Sequence, residues 1–308
     1  MPPGICGTQT KHPNLSYRSK TLFTRPLTLR RIWRAIDRKS RIAAAYAGAT
    51  AAYASGRASA AAEAHYIDRR YLPFGGRGRF SVNFLGKPLL TPWLPMLRVQ
   101  LRAFFVLDEY LFDLPPNPVI IDAGANLGVS TLYFARQYKP RTLVAIEADP
   151  EMYRNYLVPN MQAQDIQAEL LNKALWKEPG TVNFSLTGAD DGSIARHGEI
   201  SVESVTLEQL AEQYGHLDLV KLSIEGAEME IIPSSQALSW IGNLYILIVI
   251  KAGTTKNPEP ILQALTRAGF QYFLRATTAE LHASPAAVFA RPEGVAYFLH
   301  ILARKRHQ

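Results

Sequence analysis

The stretch VIIDAGANLGVSTLYFA, residues 119–135, constrains this chain more than any other. An apolar run ends in Asp122, passes through Ala123-Gly124-Ala125-Asn126-Leu127-Gly128 and enters a helical period, so it reads as strand, tight loop and helix. Glycines in such a loop let the backbone approach a ligand closely, and the helix that follows offers unpaired amides. That predicts a nucleotide-type cradle. The dinucleotide fingerprint needs glycine at 124, 126 and 129, yet Asn126 and Val129 occupy two of those positions, which argues against a nicotinamide oxidoreductase. Glu147, 19 residues beyond Gly128, closes the next apolar run. An acid at that point of a doubly wound sheet can accept both hydroxyls of a ribose.

The surrounding pattern is that of an α/β domain. Strands expected over 118–123, 143–146, 168–172, 217–224 and 245–250 alternate with helical periods, and 270–274 with 295–302 would complete a largely parallel sheet covered by helices on both faces. Asp149-Pro150 supplies a cap and a first helical residue. Thr206 with Gln209 forms a capping box for a helix over 207–214. Segments 181–186 and 200–205 alternate with period two around TGADDG, which predicts an inserted hairpin.

Charge divides the chain unevenly. Of a net +8, residues 1–70 carry 13 Lys/Arg against Asp37, Glu63 and Asp68, so the remainder is close to neutral. We therefore expect a basic, partly disordered and helical N-terminal extension over 1–70 and a Rossmann-like domain over 71–308. Leu29, Ile32, Trp33 and Ile36 recur at helical spacing with Arg30, Arg31, Arg34 and Arg38 between them. Such a basic amphipathic helix either packs with a solvated face or makes peripheral contact with an anionic surface. The Ala-rich stretch 42–64 is too weakly apolar, with Arg57 inside it, to be expected as a transmembrane segment. One cysteine, Cys6, excludes a disulfide framework, and the scattered histidines give no metal-ligand spacing. With no secretory signal pattern, a reducing, cytoplasmic location is expected.

Four ordered blocks carry a specific resemblance. DAGANLGVSTLYFA, VAIEADPEMYRNYLVPN, LLNKALW and VTLEQLAEQYGHLDLVKLSIEGAEMEII resemble successive blocks of the FkbM family of S-adenosylmethionine-dependent methyltransferases, over roughly residues 80–303. The resemblance implies a class I methyltransferase fold with a seven-stranded sheet holding one antiparallel strand. It implies S-adenosyl-L-methionine as cofactor and O-methylation of a hydroxyl on a sugar, glycan or secondary metabolite. Carried over by position, Asp122, Gly124, Asn126 and Gly128 would hold the methionine part of the cofactor and Glu147 the ribose. Asn172 and Ala174 would face the adenine, while Lys221, Glu225 and Glu228 would border the acceptor.

Either glutamate could serve as general base, or one could orient the acceptor while Lys221 neutralises it; alternatively Glu228 only charges the first turn of its helix. Weaker candidates are His216, His282, Asp190 and Asp191, each at a position where a loop or turn role suffices. Two positions depart from the family pattern: Ser223 replaces an acid, and the fifth strand ends Ile250-Lys251-Ala252 instead of in an acid followed by histidine. These departures open a second reading, a catalytically degenerate methyltransferase-fold binding module. Specific nucleic-acid methylation is not expected. The Pro-Pro pair of the sheet domain, Pro115-Pro116, precedes the first strand and lacks a following aromatic.

Overall fold

The computed structural model describes residues 57–71, 76–107, 109–185, 193–194, 200–251, 256–277 and 295–305. All of these belong to one compact unit, Gly48–Gln308. The expected basic helix, the TGADDG turn with Asp190 and Asp191, and His282 lie outside the described residues.

The described chain opens with helix α1 (Arg57–Arg70) and a two-stranded hairpin, β1 (Arg77–Phe84) and β2 (Lys87–Trp93). Sequence patterning did not anticipate this hairpin. Its two-residue turn is Leu85-Gly86, with φ of 57° and 75°. A left-handed leucine is not a turn signal, because its side chain disfavours that conformation. The Glu63 carboxylate of α1 holds it by accepting the Leu85 N–H at 2.9 Å. Helix α1 also buries Ala60, Ala64 and Ile67 in the core and ties Asp68 to Arg98 with a 2.8 Å ion pair.

Helix α2 (Leu94–Leu101) runs into a π-helical turn (Arg102–Val106) that buries Phe104 and Phe105. Then follow β3 (Val119–Ala123), α3 (Val129–Tyr138) and β4 (Thr142–Ile146). A helical run comes next, made of α4 (Pro150–Met152), a π-helical turn (Tyr153–Leu157) and α5 (Val158–Ala163). The Asp149 carboxylate caps it, accepting the N–H groups of Glu151 and Met152, as its sequence predicted.

Strand β5 (Glu169–Leu171) leads to β6 (Ala174–Leu175), β7 (Gly180–Ser185), β8 (Ser193–Ile194) and β9 (Ile200–Val205). The last four form a separate small sheet in which β7 and β9 pair antiparallel, so the inserted hairpin is present. The chain continues through α6 (Leu207–Tyr214), β10 (Leu217–Leu222), α7 (Glu228–Ser234), β11 (Ile241–Lys251), α8 (Glu259–Arg267), β12 (Phe270–Thr277) and β13 (Val295–Lys305). Both halves of the capping box at the start of α6 form: Thr206 Oγ1 accepts the Gln209 N–H, and Gln209 Oε1 accepts the Thr206 N–H. Thr206→Ala is expected to lower stability by about 1 kcal/mol, read as the shift of the urea midpoint at constant slope.

The main sheet has seven strands in the order β12-β13-β11-β10-β3-β4-β5. Every pairing is parallel except those of β13, which lies antiparallel between β11 and β12. This order, with its single reversed strand, is the class I methyltransferase fold. Period-two alternation sends Ile121, Val144, Val220 and Ile246 to one core and Ile120, Ala145, Leu219 and Tyr245 to the other. The order reverses at β3, where β10 pairs on one side and β4 on the other, and ligands of open α/β sheets bind beyond the strand ends at such a point.

Candidate active site

The alternation that fills the second core also builds the site. Asp122, Glu147 and Lys221 each lie two residues beyond a core residue of that face, so all three reach the carboxyl end of the sheet on one side. Asp122 is fully buried and accepts hydrogen bonds from Ser130 Oγ at 2.7 Å and Thr131 Oγ1 at 2.6 Å. Lys221 Nζ stands 3.0 Å from Asp122 Oδ1 and also donates to the carbonyls of Gly124 (2.6 Å) and Ala123 (3.3 Å). The ammonium gives hydrogen bonds to two carbonyls and pairs its charge with the Asp122 carboxylate. The pair thus clamps the loop after β3 to the end of β10.

Gly124 and Gly128 serve packing in this loop. At Gly124, with φ of 74°, an added Cβ would lie 1.9 Å from the Ser223 carbonyl oxygen. At Gly128, with φ of 85°, it would lie 2.5 Å from Met161 Cε. Close approach by another part of the chain, as well as a ligand, therefore requires these glycines. Asn126 adopts φ of 53°, and its Oδ1 accepts from Gln100 Nε2 at 3.0 Å, which joins the loop to α2.

Glu147 is the hinge of the opposite wall. Its Oε2 accepts the Asn126 N–H at 2.7 Å and its Oε1 the Asp149 N–H at 2.9 Å. Burial pushes its carboxyl up to about 7, against the two backbone donors that favour the ionised form. Each oxygen keeps acceptor capacity beyond its one backbone bond. Asn172 works from behind, donating through Nδ2 to the carbonyls of Glu147 and Ala148.

These groups border a cavity of 530 Å³. Of the expected residues, Gly124, Asn126, Glu147, Ala174, Lys221 and Glu225 line it, while Asp122, Gly128, Asn172 and Glu228 stand behind its wall. Glu225 adopts φ of 58° beside Gly226 at 112°. A non-glycine residue held there is strained, and such strain concentrates at functional positions. Glu228 is fully buried, and its Oε2 accepts the Gly226 N–H at 2.6 Å. Burial pushes it up to about 7, opposed by backbone hydrogen bonds and by the Lys256 charge.

Lys256 itself escaped the sequence reading. Its Nζ donates to the Val249 carbonyl at 3.0 Å and sits beside Gly226, so a cation bridges the ends of β10 and β11. His216 is distant from this cluster in the chain order of the fold, near the start of β10, with its ring against Gly242. Among the described residues no group of His, Cys, Asp and Glu could hold a metal ion, and no helix is long and apolar enough to cross a membrane.

Residues 122–272 match the family model described as Methyltransferase FkbM domain. The chain carries an FkbM methyltransferase domain. Methyltransferase sdnD of Sordaria araneosa is 24% identical over 212 residues, covering 54% of this chain and 81% of that protein. Methyltransferase 1 of Beauveria bassiana (strain ARSEF 2860) is 23% identical over 201 residues, with the same coverage of 54% and 81%. Among solved structures, the chain is similar to M. jannaschii TYW2 in complex with AdoMet at 14% identity, over 76% of this chain and 89% of that one, with a TM-score of 0.42.

The FkbM methyltransferase domain is S-adenosylmethionine-dependent, and the residues present fit that group. A carboxylate with acceptor capacity turned into a cavity of this size, beyond the ends of two parallel strands, suits the ribose of a nucleoside-bearing ligand. The family match begins at Asp122 and ends at Tyr272, so it includes neither the wall built by α2 and its π-helical turn nor Phe298 of β13. Trp93, Met96, Phe104 and Tyr110 line the cavity from outside the matched segment. No local motif marks them, because they come together only when α2 docks over the sheet.

Proposed function

We propose that this methyltransferase transfers a methyl group from S-adenosylmethionine to a hydroxyl oxygen of a small-molecule or glycan acceptor. The observation that carries this reading is Glu147: a buried carboxylate, fixed by two backbone donors, that lines the 530 Å³ cavity. When bound, S-adenosylmethionine supplies an electrophilic methyl on a sulfonium leaving group. The chain then has little to do except align an acceptor oxygen and exclude water.

Glu147 accepts the ribose hydroxyls, and the Gly124 to Asn126 backbone, clamped by Asp122 and Lys221, borders the amino-acid portion. Ala174 and Leu175 flank the base, with Asn172 holding the Glu147 carbonyl in place. Glu225 takes the proton that the acceptor hydroxyl releases, a role typically worth about 10² to 10⁴ in rate. Glu228, turned into its own helix start, keeps Gly226 and hence Glu225 in position. The basic segment within residues 1–70 suits peripheral contact with an anionic surface, and the lone cysteine suits the cytoplasm.

Calorimetric titration with S-adenosylhomocysteine tests this reading. Binding by the wild-type protein is expected, and the absence of binding at millimolar ligand would overturn it. The titration also has an expected pH dependence. Ribose hydroxyls donate to the ionised carboxylate, and Glu147 takes up its proton as pH falls through about 7. Affinity should therefore rise from pH 5.5 to about 7.5 and then level, and Glu147→Gln should flatten the profile. The same shift acts on folding with the opposite sign. A carboxyl raised in the folded state binds protons there that the unfolded chain has lost, so the contributions of Glu147 and Glu228 to stability decline as pH climbs from about 4.5 through 7.

A further inference from the structure

The charged groups of the cavity wall are unevenly placed. Toward β4 and β5, Glu147, Asp149 and Lys173 stand among apolar neighbours such as Met152 and Leu175. Toward β11, β13 and α2 the wall is formed by Trp93, Met96, Phe104, Leu247, Val249 and Phe298. The two strands cooperate in this, since Val249 and Phe298 are register partners across β11 and β13. Phe104 is backed by an aromatic stack: its ring lies 3.8 Å from Tyr110, which lies 4.1 Å from Tyr245.

The polar side chains among these walls are engaged within the protein. Gln100 Nε2 is given to Asn126, and the Lys221 ammonium is used by Asp122 and two carbonyls. The Tyr110 hydroxyl bonds to Tyr245, whose own hydroxyl meets His300 Nδ1. Ser223 and Glu225, together on the loop after β10, bring polarity to a single point of this half.

A glycan presents a hydroxyl on nearly every ring carbon, and each one buried without a partner costs its full desolvation. An apolar skeleton with one reacting hydroxyl meets no such penalty and gains from leaving water. We infer that the acceptor is a predominantly apolar small molecule bearing a hydroxyl, selected by the α2 wall and the ends of β11 and β13, and that it is not a free sugar or glycan. This rests on the methyltransferase reading above, since it assigns the acceptor half of that same cavity. The α2 wall thereby sets specificity from outside the matched family domain.

The test uses the full chain saturated with S-adenosylhomocysteine and titrated with two probes, the lipophilic alcohol farnesol and methyl α-D-glucopyranoside. Farnesol should bind at least about tenfold more tightly than the glucoside. Val99 lines the cavity on α2 yet is 68% exposed, so Val99→Glu brings a charge to the wall without disturbing the core. It should weaken farnesol about tenfold and leave S-adenosylhomocysteine affinity unchanged. Glucoside binding equal to or tighter than farnesol would overturn the inference while leaving the cofactor site intact. Farnesol affinity unmoved by Val99→Glu would overturn the assignment of the wall. Failure of S-adenosylhomocysteine to bind would overturn the underlying reading and, with it, any acceptor.

Discussion

Lys221→Met should lower the stability of the folded chain by about 3–5 kcal/mol, the cost of removing one partner from a buried ion pair. The lysine side chain is only 4% exposed and its aspartate partner not at all, so water cannot replace the lost ammonium. Asp122 would keep the hydroxyls of Ser130 and Thr131 but lose its counter-charge, while the carbonyls of Gly124 and Ala123 would lose their donor. The companion Asp122→Asn/Lys221→Met removes both charges and should recover most of the loss, because the uncompensated charge is the larger part of the penalty. Urea unfolding of the three proteins measures both. A single-variant loss below about 1 kcal/mol would mean that the pair is as weak as an exposed one.

The second large effect falls on binding. Glu147→Ala should weaken S-adenosylhomocysteine by at least about 100-fold, since two hydrogen bonds to a charged acceptor are together worth about 3 kcal/mol or more. Part of the effect is indirect. The backbone amides of Asn126 and Asp149 are both held by this carboxylate, and without it the two loops flanking the cavity lose their common anchor. Calorimetry on a variant shown to be folded by its far-ultraviolet spectrum provides the comparison. Affinity within tenfold of the wild type would remove Glu147 from the ribose role.

Much of this site was legible in the sequence because its elements are local. The strand, loop and helix over 119–135, the acid at 147, the cap at Asp149 and the reciprocal cap at Thr206 each depend on residues a few positions apart, and each is present. Long-range packing hid the rest. Nothing in residues 85–86 announces a turn, because the left-handed leucine is tolerated only through Glu63, 22 positions away. The α2 wall faces the cavity only because Gln100 reaches Asn126 and Phe104 stacks on Tyr110, contacts that no periodicity encodes. The sequence singles out the glycines at 124 and 128 for close approach of a ligand, yet the close contacts at both are with Ser223 and Met161 of the chain itself.

The placement of β13 bears on the order in which the domain can assemble during synthesis. This strand is inserted between β11 and β12, both of which leave the ribosome before it, and β12 has no other neighbour in the sheet. Until residues 295–305 emerge, β12 has no strand to pair with, and its exposed Tyr272, Phe273 and Leu274 stand beside unsatisfied amides and carbonyls. A nascent chain halted before Val295 would thus lack two strands of its seven, with an adhesive edge awaiting a chaperone's protection.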